Sequence, residues 1–403
     1  MKFLHVADLH LGRVFHERSL IDDQRAMLDS LLDALASDDF AALVIAGDVY
    51  DRSIPPPEAV TLLGSALASL RRRFPALQVL IIPGNHDSAD RLGYGDRLFA
   101  ELGIHIVSDA ERAAEPIFVE KDGERCAFFL LPFLTPGALS PRATAENDLP
   151  ILAAAAEPLR SQRDLAAEAA SRLEEARKKA MDAGAAAAVL VAHLFASGGA
   201  ESESERVFLG TAERVDIGRF AAFDYVALGH LHRPQAVAPN AWYAGSPLAY
   251  SFDEAGREKV FLSVGVGRDA ADGKPAVAMV PVAPLRRLRR LAGPFDSFLE
   301  PRSYADARED YLEIALEDIR LTENPLALLR DRFPYLLSVK QDAALAAARA
   351  ADGAAGPARS PAEGRRGAAE DFEAFLADLY GAPDEAEVEL FRTIAREVDD
   401  ATA

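Results

Sequence analysis

The sequence is poor in cysteine and contains no long apolar run. Of its 403 residues only Cys126 is a cysteine, so an internal disulfide framework is excluded and a reducing cytoplasm is favoured. No apolar stretch reaches the roughly 18–20 residues that a transmembrane helix needs. The first ten letters, MKFLHVADLH, contain His5 and Asp8 and are not typical of a signal peptide. We therefore expect a cytoplasmic protein without a membrane-spanning segment.

Positive charge is also scarce. The chain has 44 lysine and arginine residues against 64 acidic ones, which gives a formal net charge of −20. Such a balance argues against a broad electrostatic attraction to nucleic acid. Any activity on nucleic acid would need local basic patches or a metal site. The length allows two or three domains, and half of the residues are hydrophobic, enough for a sizeable core.

Five short apolar segments end in residues that can bind metals. The segments are FLHVADLH, ALVIAGDVYD, QVLIIPGNHD, AAVLVAHL and FDYVALGHLH. Amphipathic helical patterns separate the first three, at 17–37 and from Pro56 onward, so the segments are predicted to be buried strands of an α/β fold. Ligands in such sheets collect at the carboxyl ends of the strands, which is where all five polar clusters fall.

The polar clusters contain mixed nitrogen and oxygen ligands. We predict that the ligands are Asp8, His10, Asp48, Asn85, His193, His230 and His232. Seven are too many for one tetrahedral zinc ion but suit two ions with a shared carboxylate, for which Asp48 beside Gly47 is the natural candidate. Imidazole combined with hard oxygen ligands favours Mn, Fe or Zn over Mg or Ca. Two such ions can activate water for attack on phosphorus, which indicates a phosphoesterase.

Two residues beside Asn85 have other predicted roles. His86 can reach the site without being a ligand, and it is the candidate catalytic acid–base group. Asp87 has two interpretations: it holds the other nitrogen of the His86 ring, or it caps the turn in PGNHD.

The C-terminal third changes in character. The segment 283–344 shows strand and helix patterns of a small α+β domain that follows the main domain, 1–282. Residues 345–370 are rich in Ala, Gly, Pro and Arg and are predicted to be a flexible linker. Two amphipathic helices are expected in 371–403, where they either pack back on the chain or dock on a partner helix or coiled coil. The segment 157–183 is interpreted as a solvated connecting helix.

The ordered set of motifs resembles the calcineurin-like metallophosphoesterase superfamily. Within it, HVADLHLGRVFHERS, GDVYDRSIPP, PGNHDS, AHLFASGGAESESER, ALGHLHRPQ and GSPLAYSFDE are similar to the SbcD family of bacterial nuclease subunits. The resemblance is close over about 1–265, looser through PLRRLRRLAG (284–293), and faint after 345. It implies a β-sandwich flanked by helices, in which the 283–344 segment is a DNA-capping domain.

The resemblance also implies ligands, cofactors and partners. Asp8, His10, Asp48 and His232 would hold one Mn²⁺, and Asp48, Asn85, His193 and His230 a second, with His86 catalytic. Proteins of this family form homodimers and work with the coiled-coil ATPase SbcC in a heterotetramer. The implied activities on DNA are a 3′-to-5′ double-strand exonuclease and an endonuclease on single strands and hairpins, in repair, recombination and replication.

Two other functions remain open from the sequence. The same site could serve a phosphomonoesterase or a phosphodiesterase that acts on a small substrate such as a cyclic nucleotide. Alternatively the chain could be a non-catalytic scaffold subunit that keeps the fold, although its complete ligand set argues against this. The arginines of RRLRR, at 286–290, are either a solvated face or a DNA contact.

Overall fold

The structure is a computed structural model of the 403-residue chain. It describes residues 1–140, 159–200, 214–300, 302–318, 322–341, 372 and 388–393. The strands in chain order are β1 (Lys2–Val6), β2 (Val14–Phe15), β3 (Arg18–Ser19), β4 (Ala42–Ala46), β5 (Gln78–Ile82), β6 (Ile104–Ile106), β7 (Ile117–Lys121), β8 (Glu124–Leu131), β9 (Ala187–His193), β10 (Tyr225–Gly229), β11 (Gln235–Ala238), β12 (Ala241–Tyr243), β13 (Val260–Gly265), β14 (Ala276–Pro281), β15 (Leu288–Gly293), β16 (Tyr311–Leu316) and β17 (Leu336–Gln341). The α-helices are α1 (Ile21–Ala36), α2 (Pro57–Arg73), α3 (Ala89–Leu92), α4 (Asp96–Ala100), α5 (Gln162–Asp182), α6 (Phe295–Leu299) and α7 (Pro325–Arg330).

Two six-stranded sheets form the main body. The first has the order β14-β13-β1-β4-β5-β6. Four of its strands, β1, β4, β5 and β6, are parallel. The second has the order β11-β12-β10-β9-β8-β7, with β12, β10, β9 and β8 parallel. Parallel strands place their carboxyl ends at one edge, so each sheet presents a row of loops there.

The alternation of side chains along β1 explains the layers. Phe3 packs with Val44 and Leu80 in a core that also contains Phe128 and Val191 of the second sheet. The neighbouring residues of the same strands point the other way and pack against α1 and α2. The result is two face-to-face sheets with helices outside, which confirms the predicted α/β sandwich.

Helix α5 corrects the interpretation of 157–183. Its apolar stripe is fully buried against the outer face of the second sheet, through Leu165, Ala166, Ala169 and Leu173. Alanine at these positions allows the helix backbone to approach the sheet closely. The prediction of a solvated connecting helix was therefore wrong, because the small side chains hid an apolar face.

Helix α1 also begins later than expected. The pattern predicted a helix from residue 17, but β2 and β3 form a short hairpin there and α1 starts at Ile21. His16 and Glu17 at the turn have φ of 46° and 64°, a left-handed conformation that a helix cannot contain. The predicted helix from Pro56 is confirmed as α2, with proline in its first turn.

A three-stranded parallel sheet, β15-β16-β17, lies in the 283–344 segment. It has a core of its own, which includes Phe298, Ile314 and Phe333. The four arginines of RRLRR pair with carboxylates; Arg290, for example, donates to Glu313 at 2.9 Å. Each of these arginines therefore has an acidic partner within the chain, while the side chains of Arg287 and Arg290 stay 57% and 47% exposed.

Chain contacts divide the protein into two compact units, Met1–Ala346 and Ala347–Ala403. The predicted linker, 345–370, lies outside the described residues, as does most of 371–403. In the described part of this second unit, the rings of Phe372 and Phe391 stack with their centroids 4.2 Å apart. No helix in the described parts of the chain is long and apolar enough to cross a membrane.

Candidate metal centre

The loops after β1 and β4 run side by side and bring three candidate ligands together. The amide of Asp8 donates to Gly47 O at 3.1 Å, and the amide of His10 donates to Asp48 O at 2.9 Å. Asp8, His10 and Asp48 have φ of 55°, 44° and 47°. Non-glycine residues in this region are strained, and such strain clusters at functional sites. The backbone is therefore strained at three of the candidate ligands themselves.

Glycines create the space around these side chains. A Cβ on Gly47 would lie 2.2 Å from His193 Nδ1, and one on Gly84 would lie 2.2 Å from Asp48 Oδ1. Gly47 also has φ of 90°, which a side chain would strain further. The sequence predicted that Gly47 clears space beside Asp48, but Gly47 makes room for His193, and the glycine that makes room for Asp48 is Gly84.

The second sheet supplies three histidines. His193 is the last residue of β9, and His230 and His232 follow β10. The amide of His230 donates to the two carboxylate oxygens of Asp8 at 3.0 and 3.2 Å. The carboxyl ends of both sheets therefore meet at one place, through a direct hydrogen bond between candidate ligands.

One group of potential ligand atoms centres on His10. Its Nε2 lies 3.1 Å from His232 Nε2 and 3.7 Å from Asp48 Oδ2. Atoms of Asp8, His10 and His232 all lie within 4.8 Å of one another. Two ligand atoms of one ion, each about 2.1 Å from it, lie roughly 3 Å apart. The spacing fits a shared cation.

A second group centres on Asn85. Its Oδ1 lies 2.9 Å from His193 Nε2 and 3.0 Å from His230 Nδ1, and His193 Nε2 lies 3.5 Å from Asp48 Oδ2. His193 Nδ1 is 2.9 Å from Ala46 O and must donate to that carbonyl. The neutral His193 ring therefore directs a lone pair from Nε2 toward an amide oxygen. A cation between the two atoms would satisfy both, so these residues fit a metal ion.

Three candidate ligands, His10, His193 and His230, have a lowered pKa, which favours the neutral form that binds metals. Burial, followed by the proximity of His232, lowers the pKa of His10 well below its usual value. Burial and the neighbouring His193 lower the pKa of His230 to about 3. His10 Nδ1 and His230 Nε2 are buried and have no hydrogen-bond partner among the described residues. The site combines neutral imidazoles with Asp8 and Asp48, the donor set that suits Mn, Fe or Zn.

His86 lies at the solvent-facing side of the same site. Its ring is edge-on to that of His10, with centroids 4.7 Å apart, and its amide donates to Asp48 Oδ1 at 2.9 Å. Nδ1 is 2.8 Å from Asp51 O, so it carries a proton and donates to that carbonyl. The ring is close enough to Asp48 and His10 to be a ligand through one nitrogen. The prediction that it is a non-ligand thus stays a prediction.

Asp87 caps the turn, and the alternative role beside His86 was wrong. Its carboxylate accepts hydrogen bonds from the amides of Val49 at 3.0 Å, Tyr50 at 2.8 Å and Gly84 at 2.9 Å. It therefore joins the loop after β4 to the loop after β5, which carry Asp48 and Asn85. Burial and the charge of Asp48 raise the pKa of Asp87 to about 7.

Sequence reasoning missed the residues that contact the candidate ligands and support their positions. Buried Lys259 forms an ion pair with Glu254 and donates to His232 O at 3.2 Å. Gln24 donates to His10 O at 2.7 Å from the first turn of α1. Glu254 lies within GSPLAYSFDE, but nothing in that string distinguishes a supporting carboxylate from a surface one. Only the fold shows that it faces His232, 3.8 Å away.

Comparison with protein families agrees with this geometry. The model of the calcineurin-like phosphoesterase family matches residues 1–234, more than half of the chain. The protein belongs to the calcineurin-like phosphoesterase family. Enzymes of this family are hydrolases that use a dinuclear metal site, and this chain has clustered Asp and His side chains that could hold metal ions.

Several solved structures are similar to this calcineurin-like phosphoesterase. Bacillus subtilis YfkN, itself a calcineurin-like phosphoesterase, is 13% identical with a TM-score of 0.39, over 71% of this chain and 92% of that one. A dimetal phosphatase from Danio rerio is 11% identical with a TM-score of 0.38, over 70% and 99%. The Pseudomonas putida nuclease MPE is 28% identical with a TM-score of 0.19, over 33% and 55%.

Proposed function

We propose that this phosphoesterase is a metal-dependent DNA nuclease subunit. The observation that carries the proposal is the convergence of seven candidate ligands from both sheets at one site, beside the partly exposed His86. In this proposal Asp8, His10, Asp48 and His232 hold one ion, and Asp48, Asn85, His193 and His230 hold the second. Two Mn²⁺ ions would supply Lewis acidity and an activated water.

His86 would supply the proton for the leaving oxygen. Its Nδ1–H is held by the Asp51 carbonyl, so Nε2 is the atom that exchanges a proton with substrate. The Asp51 carboxylate is in turn held by Arg13 at 2.8 Å. A ring fixed on one side and half-exposed on the other can donate to a substrate without rearrangement.

The exposed cations near the site favour a phosphodiester chain over a small substrate. Arg52 follows Asp51 and its side chain is 58% exposed, while Arg233 follows His232 and is also exposed. They lie on loops from different sheets, so each could contact a phosphate on one side of the scissile bond. Local cations of this kind are what a chain with a net charge of −20 needs for DNA.

An exposed apolar surface supports the proposed homodimer. Tyr94, Leu98 and Leu102 recur every four residues around α4 and are 84%, 72% and 59% exposed. We propose that this surface packs on the same surface of a second copy. Leu98→Glu should give a monomer in light scattering. Leu328→Glu changes a leucine that is 54% exposed on α7 and should leave the dimer intact; a dimer in both variants would contradict this interface.

The C-terminal segment, 371–403, supports the proposal that the chain binds a coiled-coil ATPase. The Phe372–Phe391 stack joins the two predicted helical segments, and Leu390 is 61% exposed beside the stack. Removing 371–403 should abolish co-purification with an SbcC-type ATPase and leave Mn²⁺-dependent cleavage of short DNA intact. Leu390→Asp should weaken co-purification, and Glu389→Gln is the neighbouring control. Undiminished binding by the truncated chain would contradict the docking role.

The catalytic proposal is tested with purified full-length protein. End-labelled duplex and hairpin DNA, a chromogenic phosphomonoester and a 2′,3′-cyclic nucleotide are each incubated with Mn²⁺. We expect nucleotides released from 3′ ends and nicked hairpins, with both products lost in Asp48→Ala. Cleavage confined to the cyclic nucleotide or the phosphomonoester would favour the small-substrate enzyme. Inactivity on all substrates in protein that retains two metal ions would favour the scaffold.

A further inference from the structure

A solvent-open cleft of about 330 Å³ lies beside the carboxyl end of β9. Three separate parts of the chain form its wall: the first turn of α5, the loop after β9 and the segment 214–219. The amide of Ser197 donates to Val215 O at 2.9 Å, and the amide of Val215 donates to Phe195 O at 2.8 Å, which joins the last two parts. We call this site the arginine cleft. Its lining residues are Arg163, Ser197, Arg214, Val215, Asp216 and Arg219.

The charged side chains of the arginine cleft are three guanidinium groups and one carboxylate, and all four residues are exposed. The carboxylate belongs to Asp216, whose Oδ1 accepts a hydrogen bond from the amide of Gly218 at 3.0 Å. Positive charge is therefore in excess here, although the whole chain has a net charge of −20. A local excess of this kind attracts anions.

The aromatic ring of Phe195 connects the arginine cleft to the candidate metal centre. The guanidinium carbon of Arg214 lies over this ring, 5.1 Å from its centroid. The same centroid lies 5.9 Å from that of His230, a candidate ligand of the second ion. A single side chain thus separates Arg214 from a candidate metal ligand. A strand whose scissile phosphate lay at the metal centre would reach the arginine cleft within about one or two nucleotides.

We propose that the arginine cleft binds a backbone phosphate of the nucleic-acid strand that is cut at the metal centre. This proposal rests on the proposed nuclease function. Guanidinium groups bind phosphate oxygens through paired N–H donors, and the hydroxyl of Ser197 adds a further donor. Among the described lining residues only Val215 is apolar, so the cleft suits a phosphate better than a base. The contact positions the strand without selecting its sequence.

Binding of labelled single-stranded DNA to the full chain, in chelator and over a range of low salt concentrations, tests the arginine cleft. Arg219→Gln should weaken binding about fivefold near 0.1 M salt. It should also reduce the slope of log affinity against log salt by about 0.7, the value for one phosphate contact on a single strand. Asp216→Asn should strengthen binding, because it removes the negative charge and keeps a side-chain oxygen for the Gly218 amide.

Arg72→Gln is the matched control. Arg72 is exposed near the end of α2, which leads to the amino end of β5 and so to the edge of the sheet opposite the metal centre. Its replacement should leave both the affinity and the salt slope unchanged.

An Arg219→Gln chain that binds like Arg72→Gln would overturn the proposal, as would an Asp216→Asn chain without a gain in affinity or an unaltered chain that binds no DNA. Inorganic phosphate is the second probe. If it displaces the DNA at an equal concentration of phosphate groups, the arginine cleft is a site for free anions and the strand assignment is wrong. Because binding is measured without metal or cleavage, the expected slope change in a chain that cuts no DNA would contradict the nuclease function and leave the anion site standing.

Discussion

Replacing His86 by alanine separates catalysis from metal binding. If His86 protonates the leaving oxygen, its loss should reduce turnover on DNA by about 10²–10⁴-fold. That reduction corresponds to roughly 2.7–5.5 kcal/mol in the activation barrier. Because Nδ1 donates to Asp51 O at 2.8 Å, Nε2 is the nitrogen that would deliver this proton, from a ring protonated on both nitrogens. The seven candidate ligands stay in place, so both metal ions should remain bound.

The dependence on the leaving group makes this prediction sharper. The deoxyribose oxygen that DNA cleavage releases needs a proton, whereas a nitrophenolate leaves without one. His86→Ala should therefore be severely impaired on DNA and within about tenfold of the unaltered enzyme on a nitrophenyl phosphodiester. Single-turnover rates on both substrates and elemental analysis of the protein provide the measurement.

A matched control is available in the same sheet. His105 lies on β6, is half-buried and bonds Gln78 Oε1 at 3.0 Å, away from the site. His105→Ala should retain activity on both substrates. An equal loss on both substrates in His86→Ala would refute the acid role. A fall from two metal ions to one would show that His86 is a ligand, as its proximity to His10 and Asp48 allows.

Three further predictions follow from the site and the core. Asp48→Ala should lower metal content at both positions and abolish hydrolysis; near-normal stoichiometry by elemental analysis would exclude a bridging carboxylate. Asp87→Ala leaves three backbone amides without their acceptor, and should cost about 3–5 kcal/mol in urea unfolding and weaken Mn²⁺ binding; Asp216→Ala, at an exposed cap, is its control. Burial lowers the pKa of His5 to about 3, so the unfolded chain binds a proton first as the pH falls below 6.5. In the presence of chelator, this residue should therefore make stability fall by about 1.4 kcal/mol per pH unit toward pH 4, and His5→Phe should show a flatter pH profile.

The sheet strands were predictable because their signals are local. Runs such as ALVIA and YVALG are short and apolar on both faces, as expected of a strand between two layers, and the structure has them as β4 and β10. Helix α5 was misjudged because alanine fits both a solvated helix and a tightly packed one. The sequence pattern cannot tell which surface an alanine-rich face will meet.

Asp87 shows the same limit at the site. A carboxylate after His86 fits either of two partners, and the string PGNHD contains no information on the direction in which it points. The loop after β4 decides, because its amides at Val49 and Tyr50 donate to the Asp87 carboxylate at 3.0 and 2.8 Å.

The amino-acid sequence by itself determined which residues could form a metal centre, since imidazoles and carboxylates recur at the ends of apolar runs. It also determined that the fold would be α/β, because strand and helix periods alternate along the chain. Only the tertiary structure decided that Asp8, from the first sheet, accepts a hydrogen bond from the His230 amide of the second. It also decided that Glu254 and Lys259 contact His232. These contacts join residues more than twenty positions apart, and packing of the sheets, not local sequence pattern, sets their distances.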